Sequence, residues 1–123
     1  MEIVVDSHAL FWFLTANEKL SPRARRMIEH AQIVIVPSIV VMEILYILEK
    51  NSMSVRFIEL LGELKAKNYL VYPLDLEIIS QTVSVTSGLE MHDRIIVATA
   101  TYFNAPLISR DSEIKRVYEK TIW

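Results

Sequence analysis

Near its start the chain carries three consecutive β-branched residues that end in a carboxylate, Ile3-Val4-Val5-Asp6. An apolar run without polar alternation is typical of a strand buried on both faces of a parallel sheet. The carboxyl ends of such strands meet at one edge, where open α/β folds bind their ligands. Asp6 therefore has two open interpretations. It is either the N-cap of the helix that follows, a role aspartate favours, or part of a binding site.

Further buried-strand patterns alternate with helical patterns, which predicts an α/β domain with right-handed crossovers and a central parallel sheet covered by helices on both sides. We find no internal repeat or linker, so residues 1–123 are expected to form a single domain. The expected strands are 3–5, 33–36, 68–72 and 107–109, with a short edge strand at 121–123 as a fifth. The expected helices are 9–14, 22–32, 39–50, 54–67, 76–87, 91–104 and 113–118, with Ser21, Ser38 and Asp75 as N-caps and Gly88 as a C-cap.

The composition excludes several classes of protein. Cysteine is absent, which excludes disulfide frameworks, thiolate metal sites and cysteine nucleophiles. No apolar run approaches the ~20 residues of a membrane span, and no positively charged segment precedes residue 6, so we expect a cytoplasmic protein without a membrane partner. A net charge of −2 argues against a broad DNA-binding surface. It does not argue against an acidic metal site that meets phosphate through the metal.

A second strand ends as the first one does. The run Leu107-Ile108-Ser109 is closed by Asp111. If these two strands are neighbours, Asp6 and Asp111 lie at one edge of the sheet, and strand alternation turns the Ser109 hydroxyl to the same side.

Two helical acids are candidates for the same edge. Glu43 lies in an otherwise apolar helix, where a carboxylate is costly without a partner or a metal. The alternative is a narrow exposed stripe of Glu43, Tyr46 and Lys50. Asp93 lies near the start of its helix, and the alternative there is a favourable interaction with the helix dipole.

Four carboxylates at one edge could not all stay ionised without a cation. Carboxylates without cysteine, and with little histidine, favour Mg²⁺ or Mn²⁺ over Zn²⁺. A carboxylate-held Mg²⁺ is suited to activating water against a phosphodiester. The pattern therefore indicates hydrolysis of phosphate esters.

These segments resemble the PIN-domain ribonucleases, with the greatest likeness to the compact VapC-type toxins of bacteria and archaea. The resemblance spans nearly the whole chain and rests on Val4 to Leu10, Glu43, Met91-His92-Asp93-Arg94 and Ile108 to Asp111. It implies a three-layer PIN-like fold around a parallel sheet of four or five strands. It also implies a Mg²⁺- or Mn²⁺-dependent endoribonuclease that forms homodimers and is inhibited by a small antitoxin protein. The implied catalytic and metal-binding residues are Asp6, Glu43, Asp93 and Asp111, with Ser109 in support.

Four basic residues near these acids have two interpretations each. His8 either orients substrate or bonds to Asp6, or is a packed residue of the first helix. His92 is either a ligand beside Asp93 or part of the local structure, and we expect the local structural role. Arg94 and Arg110 are candidate phosphate contacts, because guanidinium suits phosphate geometry, or they form salt bridges to neighbouring acids.

Other functions stay open at this point. The alternatives are a housekeeping RNA-processing PIN nuclease, a non-catalytic PIN-like module that binds RNA or a partner, and another Mg²⁺-dependent phosphohydrolase. The helix after the first strand carries more apolar surface than one sheet face can cover. We expect an antitoxin peptide to cover part of it, namely Phe11, Trp12, Phe13 and Leu14.

Overall fold

A computed structural model describes residues 1–66, 68–85 and 88–123. A five-stranded parallel sheet runs through it in the order β3-β2-β1-β4-β5, which confirms the predicted α/β class and places the fifth strand at an edge. Ile3, Val4 and Val5 are all fully buried. Because successive strand residues point to opposite faces, both faces of β1 are covered. The strands are β1 Glu2–Val5, β2 Ile33–Pro37, β3 Tyr69–Tyr72, β4 Leu107–Ile108 and β5 Thr121–Ile122.

The helices alternate with the strands along the chain, as predicted. Within the described residues, every helix is too short or too polar to span a bilayer. The helices are α1 Ser7–Leu14, α2 Pro22–His30, α3 Ser38–Lys50, α4 Phe57–Glu63, α5 Leu76–Gln81, α6 Met91–Phe103 and α7 Ser112–Val117, with 3₁₀ turns at Ser54–Arg56 and Thr82–Ser84.

Two helices are shorter than predicted. The predicted helix 54–67 is a 3₁₀ turn followed by α4, which ends beside Gly62, a residue that weakens helices. The predicted helix 76–87 ends as α5 and a 3₁₀ turn, where the Thr82 and Ser84 hydroxyls donate to the carbonyls three residues earlier and compete with the helical ladder. The predicted ends at residues 67, 86 and 87 lie outside the described residues. The helical segment has already ended at Val85, which is extended and is the C-cap of the 3₁₀ turn, so the predicted Gly88 C-cap is wrong.

One predicted N-cap is wrong. Ser38 is the first residue of α3 rather than its N-cap, and its hydroxyl accepts a hydrogen bond from the Leu74 backbone N–H at 3.0 Å. Ser21 and Asp75 do cap α2 and α5, each accepting from the backbone N–H three residues later. The Ser38 hydroxyl therefore ties the start of α3 to the segment after β3.

The strand order reverses at β1. The chain builds outward from β1 through β2 to β3 and then returns to the other side of β1 with β4. Val5 pairs with Ile108, and the Asp6 backbone N–H donates to the Ile108 carbonyl at 3.2 Å. Asp6 and Ser109 therefore leave the sheet side by side at a topological switch point, where open α/β sheets bind their ligands.

Candidate active site

A cavity of about 350 Å³ opens at this edge of the sheet. We call it the acid-lined cavity. The structure brings together in its wall the four predicted acids, which come from the ends of β1 and β4 and from α3 and α6. The residues around it are Asp6, Ser7, His8, Trp12, Glu43, Asp93, Ile96, Arg110, Asp111 and Trp123.

Asp6 combines both roles that its sequence position suggested. Its Oδ1 accepts from the Ala9 backbone N–H at 2.9 Å, so it caps α1. The residue is only 8% exposed, and burial raises the pKa of its carboxyl. A carboxylate has about four lone-pair sites, so a cap bond on one oxygen leaves the group able to face the cavity.

Ser109 connects two of the acids. It is buried, its hydroxyl bonds to the Asp6 carboxyl and lowers the pKa of that group, and its Oγ accepts from the Asp111 backbone N–H at 3.1 Å. Asp111 itself caps α7, because its Oδ1 accepts from the Glu113 N–H at 2.8 Å. One hydroxyl thus positions the carboxylates at the ends of β1 and β4.

If the acid-lined cavity holds the divalent cation that the sequence predicts, replacing Ser109 by alanine should lower metal-dependent RNA cleavage by about 10–100-fold, the usual cost of removing a group that orients a metal ligand. The metal concentration for half-maximal activity should rise as well, which a Mn²⁺ titration of wild type and variant would measure. Loss of activity that extra Mn²⁺ does not restore, with a changed circular dichroism spectrum, would instead indicate a folding defect.

Glu43 is partly desolvated and lacks a full set of partners. Its Oε2 lies 3.5 Å from Nδ1 of His92, while its Oε1 is buried and has no hydrogen-bond partner among the residues that the structure describes. Burial raises the pKa of the Glu43 carboxyl and His92 lowers it. Tyr46, by contrast, is 60% exposed. The structure therefore favours a site role for Glu43 over the exposed-stripe interpretation.

Asp93 is the residue in which the crowding of acids is most evident. Its pKa is raised to about 6, first by burial and then by the charges of Asp111, Glu90, Glu43 and Asp6. The helix-dipole interpretation alone would lower this pKa. The acids therefore act on one another across the cavity.

The acids fit a hard divalent cation. Mg²⁺ keeps several waters and is usually held by one or two carboxylates. Within the described ranges, no three or more acidic or histidine side chains are grouped closely enough to hold a metal ion as they stand. The buried, unpartnered Oε1 of Glu43 and the mutual repulsion at Asp93 are what a cation would relieve.

The basic residues are distributed differently from the acids. Arg110 stands over the Trp12 ring at 4.7 Å, and the His8 ring lies 5.3 Å from the same ring. Arg94 does not line the cavity, and its guanidinium donates to the Thr82 carbonyl at 2.9 Å. His92 lies between two acids, at 3.5 Å from both Glu43 and Glu90.

Sequence reasoning missed the aromatic wall of the cavity. The rings of Trp12 and Trp123 are 6.0 Å apart in an edge-to-face arrangement. Trp123 directly follows β5, which pairs in parallel with β4. The pairing of β5, a strand of only two residues, therefore places Trp123 at the carboxyl edge of the sheet.

Residues 3–120 match the family model for the PIN domain. The chain belongs to the PIN-domain family. PIN domains are in general nucleases.

Solved structures share the fold of this PIN domain at low sequence identity. A toxin–antitoxin complex from Klebsiella pneumoniae contains a chain that is 18% identical, with a TM-score of 0.72 and coverage of 98% of this chain and 96% of that one. The VapBC2 complex from Rickettsia felis, bound to a DNA fragment from its promoter, contains one that is 13% identical, with a TM-score of 0.73 and coverage of 99% and 96%. The FitAcB structure from Neisseria gonorrhoeae contains one that is 17% identical, with a TM-score of 0.68 and coverage of 98% and 96%. None of the curated protein sequences matches the chain significantly.

Proposed function

We propose that this PIN domain is a Mg²⁺- or Mn²⁺-dependent endoribonuclease that hydrolyses RNA phosphodiester bonds, and that it is the toxin of a toxin–antitoxin pair. The observation that carries the proposal is the set of four acids around one cavity at the switch point, with a buried Glu43 oxygen left without a partner. Such an arrangement is costly to the apo protein unless a cation occupies it.

The acids of the cavity have different roles in the proposed site. Asp6 supplies a carboxylate that is held in place by Ser109 and by the start of α1. Glu43 and Asp93 supply partly desolvated carboxyls, which a cation would hold in the ionised form. A bound divalent cation supplies Lewis acidity, which lowers the pKa of water and neutralises charge that develops on a phosphodiester.

The direct test is cleavage of total RNA with mapped ends, with and without chelator. We expect cuts that disappear in EDTA and return with Mn²⁺ or Mg²⁺. A readout independent of activity is the melting temperature, since a ligand that binds only the native state stabilises it by about 2.7 kcal/mol at 100 times its Kd. Mn²⁺ should raise the melting temperature of wild type and not of an Asp6→Asn variant. Cleavage that persists in EDTA would exclude the metal-dependent mechanism.

The toxin role has separate support. The similar structures from Klebsiella and Rickettsia are toxin–antitoxin complexes. On α1, Phe11, Phe13 and Leu14 are only partly buried. Trp12 is 6% exposed and faces the acid-lined cavity instead. The proposed antitoxin surface therefore does not include Trp12. Phe11 and Leu14 line a small groove with Leu48 and Leu60 of α3 and α4.

Co-expression with a small protein encoded beside this gene is expected to yield a stable complex that no longer cleaves RNA. A Phe13→Ser variant should bind that protein at least about 10-fold more weakly, because an apolar side chain fully buried at an interface contributes about 1.5–3 kcal/mol, and should keep its nuclease activity. Light scattering on the free protein would show whether it is the proposed homodimer. A nuclease that never requires or binds such a partner would be a housekeeping enzyme, and RNA binding without cleavage would indicate a non-catalytic module.

A further inference from the structure

A second cavity, of about 390 Å³, adjoins the acid-lined cavity and has the opposite charge. We call it the cationic cavity. Arg110 and Trp123 stand in the walls of both. The remaining residues of its wall are Arg23, Ser109, Ser112, Lys115 and Thr121, so the described part of the chain contributes three basic side chains to this wall and no Asp or Glu.

The three cations come from separate parts of the chain. Arg23 lies on α2, Arg110 follows β4 and Lys115 lies on α7, and all three are exposed. None of the ion pairs in the described part of the chain includes any of them. Within the described residues, the three cations therefore do not neutralise the acids of the acid-lined cavity through direct ion pairs. A salt bridge to a neighbouring acid was one interpretation of Arg110.

Two of the cations are held in place by contacts that leave their charge available. Lys115 Nζ donates to the Thr121 carbonyl at 2.8 Å, which leaves two of the three donors of an ammonium free. Arg110 stacks over Trp12 at 4.7 Å and keeps its N–H edge for other partners. The Ser112 hydroxyl adds a neutral donor to the same wall.

The chain as a whole has no excess of positive charge. The chain has 13 lysines and arginines against 15 acids, so three cations in one wall without an acid are a local feature. Like charges brought together are unfavourable unless an anion joins them. Guanidinium and ammonium groups with a nearby hydroxyl are the groups that bind phosphate in proteins.

We propose that the cationic cavity binds a backbone phosphate of single-stranded RNA whose next phosphodiester lies in the acid-lined cavity, and that Trp123 stacks on the base between them. The inference rests on the proposed ribonuclease function and names how that site holds its substrate. Arg110 and Trp123 belong to both walls, so the two cavities are adjacent, and a strand that crosses these two side chains would reach both. Stacking on an aromatic side chain contributes about 1–3 kcal/mol per base and tolerates any sequence.

The test measures binding without cleavage. Fluorescence anisotropy of a labelled single-stranded RNA oligonucleotide is recorded in EDTA, which prevents metal-dependent hydrolysis, over a range of salt concentrations. Arg23→Ala and Lys115→Ala should each weaken binding by about 5–10-fold. Each should also reduce the slope of log Kd against log salt by about 0.7, the value for one phosphate contact on a single strand.

Arg26→Ala is the matched control. Arg26 is exposed on the same helix as Arg23 and does not line the cationic cavity, so its loss should change affinity less than 2-fold. Trp123→Ala should weaken binding by at least about 5-fold, as expected for the loss of one stacked base, and Trp123→Phe should retain most of the affinity because an aromatic face remains. Circular dichroism spectra establish that each variant is folded.

The outcomes separate the two proposals. If the protein cleaves RNA and the Arg23 and Lys115 variants bind it as the Arg26 variant does, the cationic cavity is not a substrate site and the nuclease function stands. If these variants lose RNA affinity while wild type never cleaves RNA, the phosphate site stands and the nuclease function falls. If RNA binding is unchanged and only binding of a protein partner is lost, the cavity belongs to that partner and the inference is overturned.

Discussion

Replacing Asp6 by asparagine is expected to lower Mn²⁺-dependent RNA cleavage by at least about 100-fold with the fold intact. Partners that merely orient a metal ligand are worth about 10–100-fold in activity, and Asp6 is itself a proposed ligand. Asparagine caps helices as well as aspartate does, so the bond from the Ala9 N–H, which is 2.9 Å long in wild type, can persist. Initial rates on a defined RNA at saturating Mn²⁺ measure the effect.

Asp75→Asn is the matched control for this substitution. Asp75 caps α5 with the same geometry, accepting from the Ile78 N–H at 2.9 Å, and lies outside the acid-lined cavity. Its replacement should leave the cleavage rate within about 2-fold of wild type. The substitution changes a helix cap in the same way as Asp6→Asn does, but it lies outside the acid-lined cavity. Glu43→Gln should behave like Asp6→Asn. Full activity in the Asp6→Asn protein would remove Asp6 from the metal site.

The central features of the site follow from local sequence because each rests on a short, strong signal. A β-branched run that ends in aspartate fixes the position of Asp6 at a strand end whatever the rest of the chain does. Leu107 and Ile108 repeat this signal before Asp111. The parallel pairing of β1 with β4, in which Val5 pairs with Ile108, then brings both strand ends to one edge, and both aspartates line the acid-lined cavity there.

The other residues around the site could not be predicted from the local sequence, because their positions depend on tertiary contacts. The Ser38 hydroxyl bonds to a backbone N–H that is distant in the chain rather than capping its own helix. Trp123 reaches the site through pairing of the two-residue strand β5. Arg23, on the charged helix α2, looks like any solvated residue until the structure places it beside Arg110 and Lys115. The sequence has no local pattern that records such convergence.

The crowded acids predict an unusual effect on stability. In metal-free buffer at pH 7.5, the Asp93→Asn protein is expected to melt about 3–6 °C above wild type, which is roughly 1 kcal/mol for a domain of this size. The carboxyl of Asp93 has its pKa raised to about 6 from an ordinary 3.8, a difference of about 3 kcal/mol before solvent screening. Because the side chain is only half-buried, screening reduces this value, and losing a favourable helix-dipole contact reduces it by a further 0.3–1 kcal/mol or so.

The sign of the pH dependence follows from the same shift. The folded state holds the Asp93 proton more tightly than the unfolded state, so the contribution of this group to stability falls as the pH rises from about 4 to about 6, and stays low above that. The Asp93→Asn variant should lose this part of the pH dependence. Melting curves in EDTA at several pH values measure it, with Glu29→Gln, an exposed acid on α2, as a control for the loss of one negative charge elsewhere.

Mn²⁺ should reverse the order of the melting temperatures of wild type and the Asp93→Asn variant. A cation that binds only the folded state stabilises wild type by mass action, while the variant has lost one of the carboxyls that would hold it. Wild type is therefore expected to melt above Asp93→Asn at millimolar Mn²⁺ and below it in EDTA. A variant that melts at or below wild type in EDTA at pH 7.5 would mean that the four acids do not repel one another enough to require a cation, and the case for a metal centre would then rest on Glu43 alone.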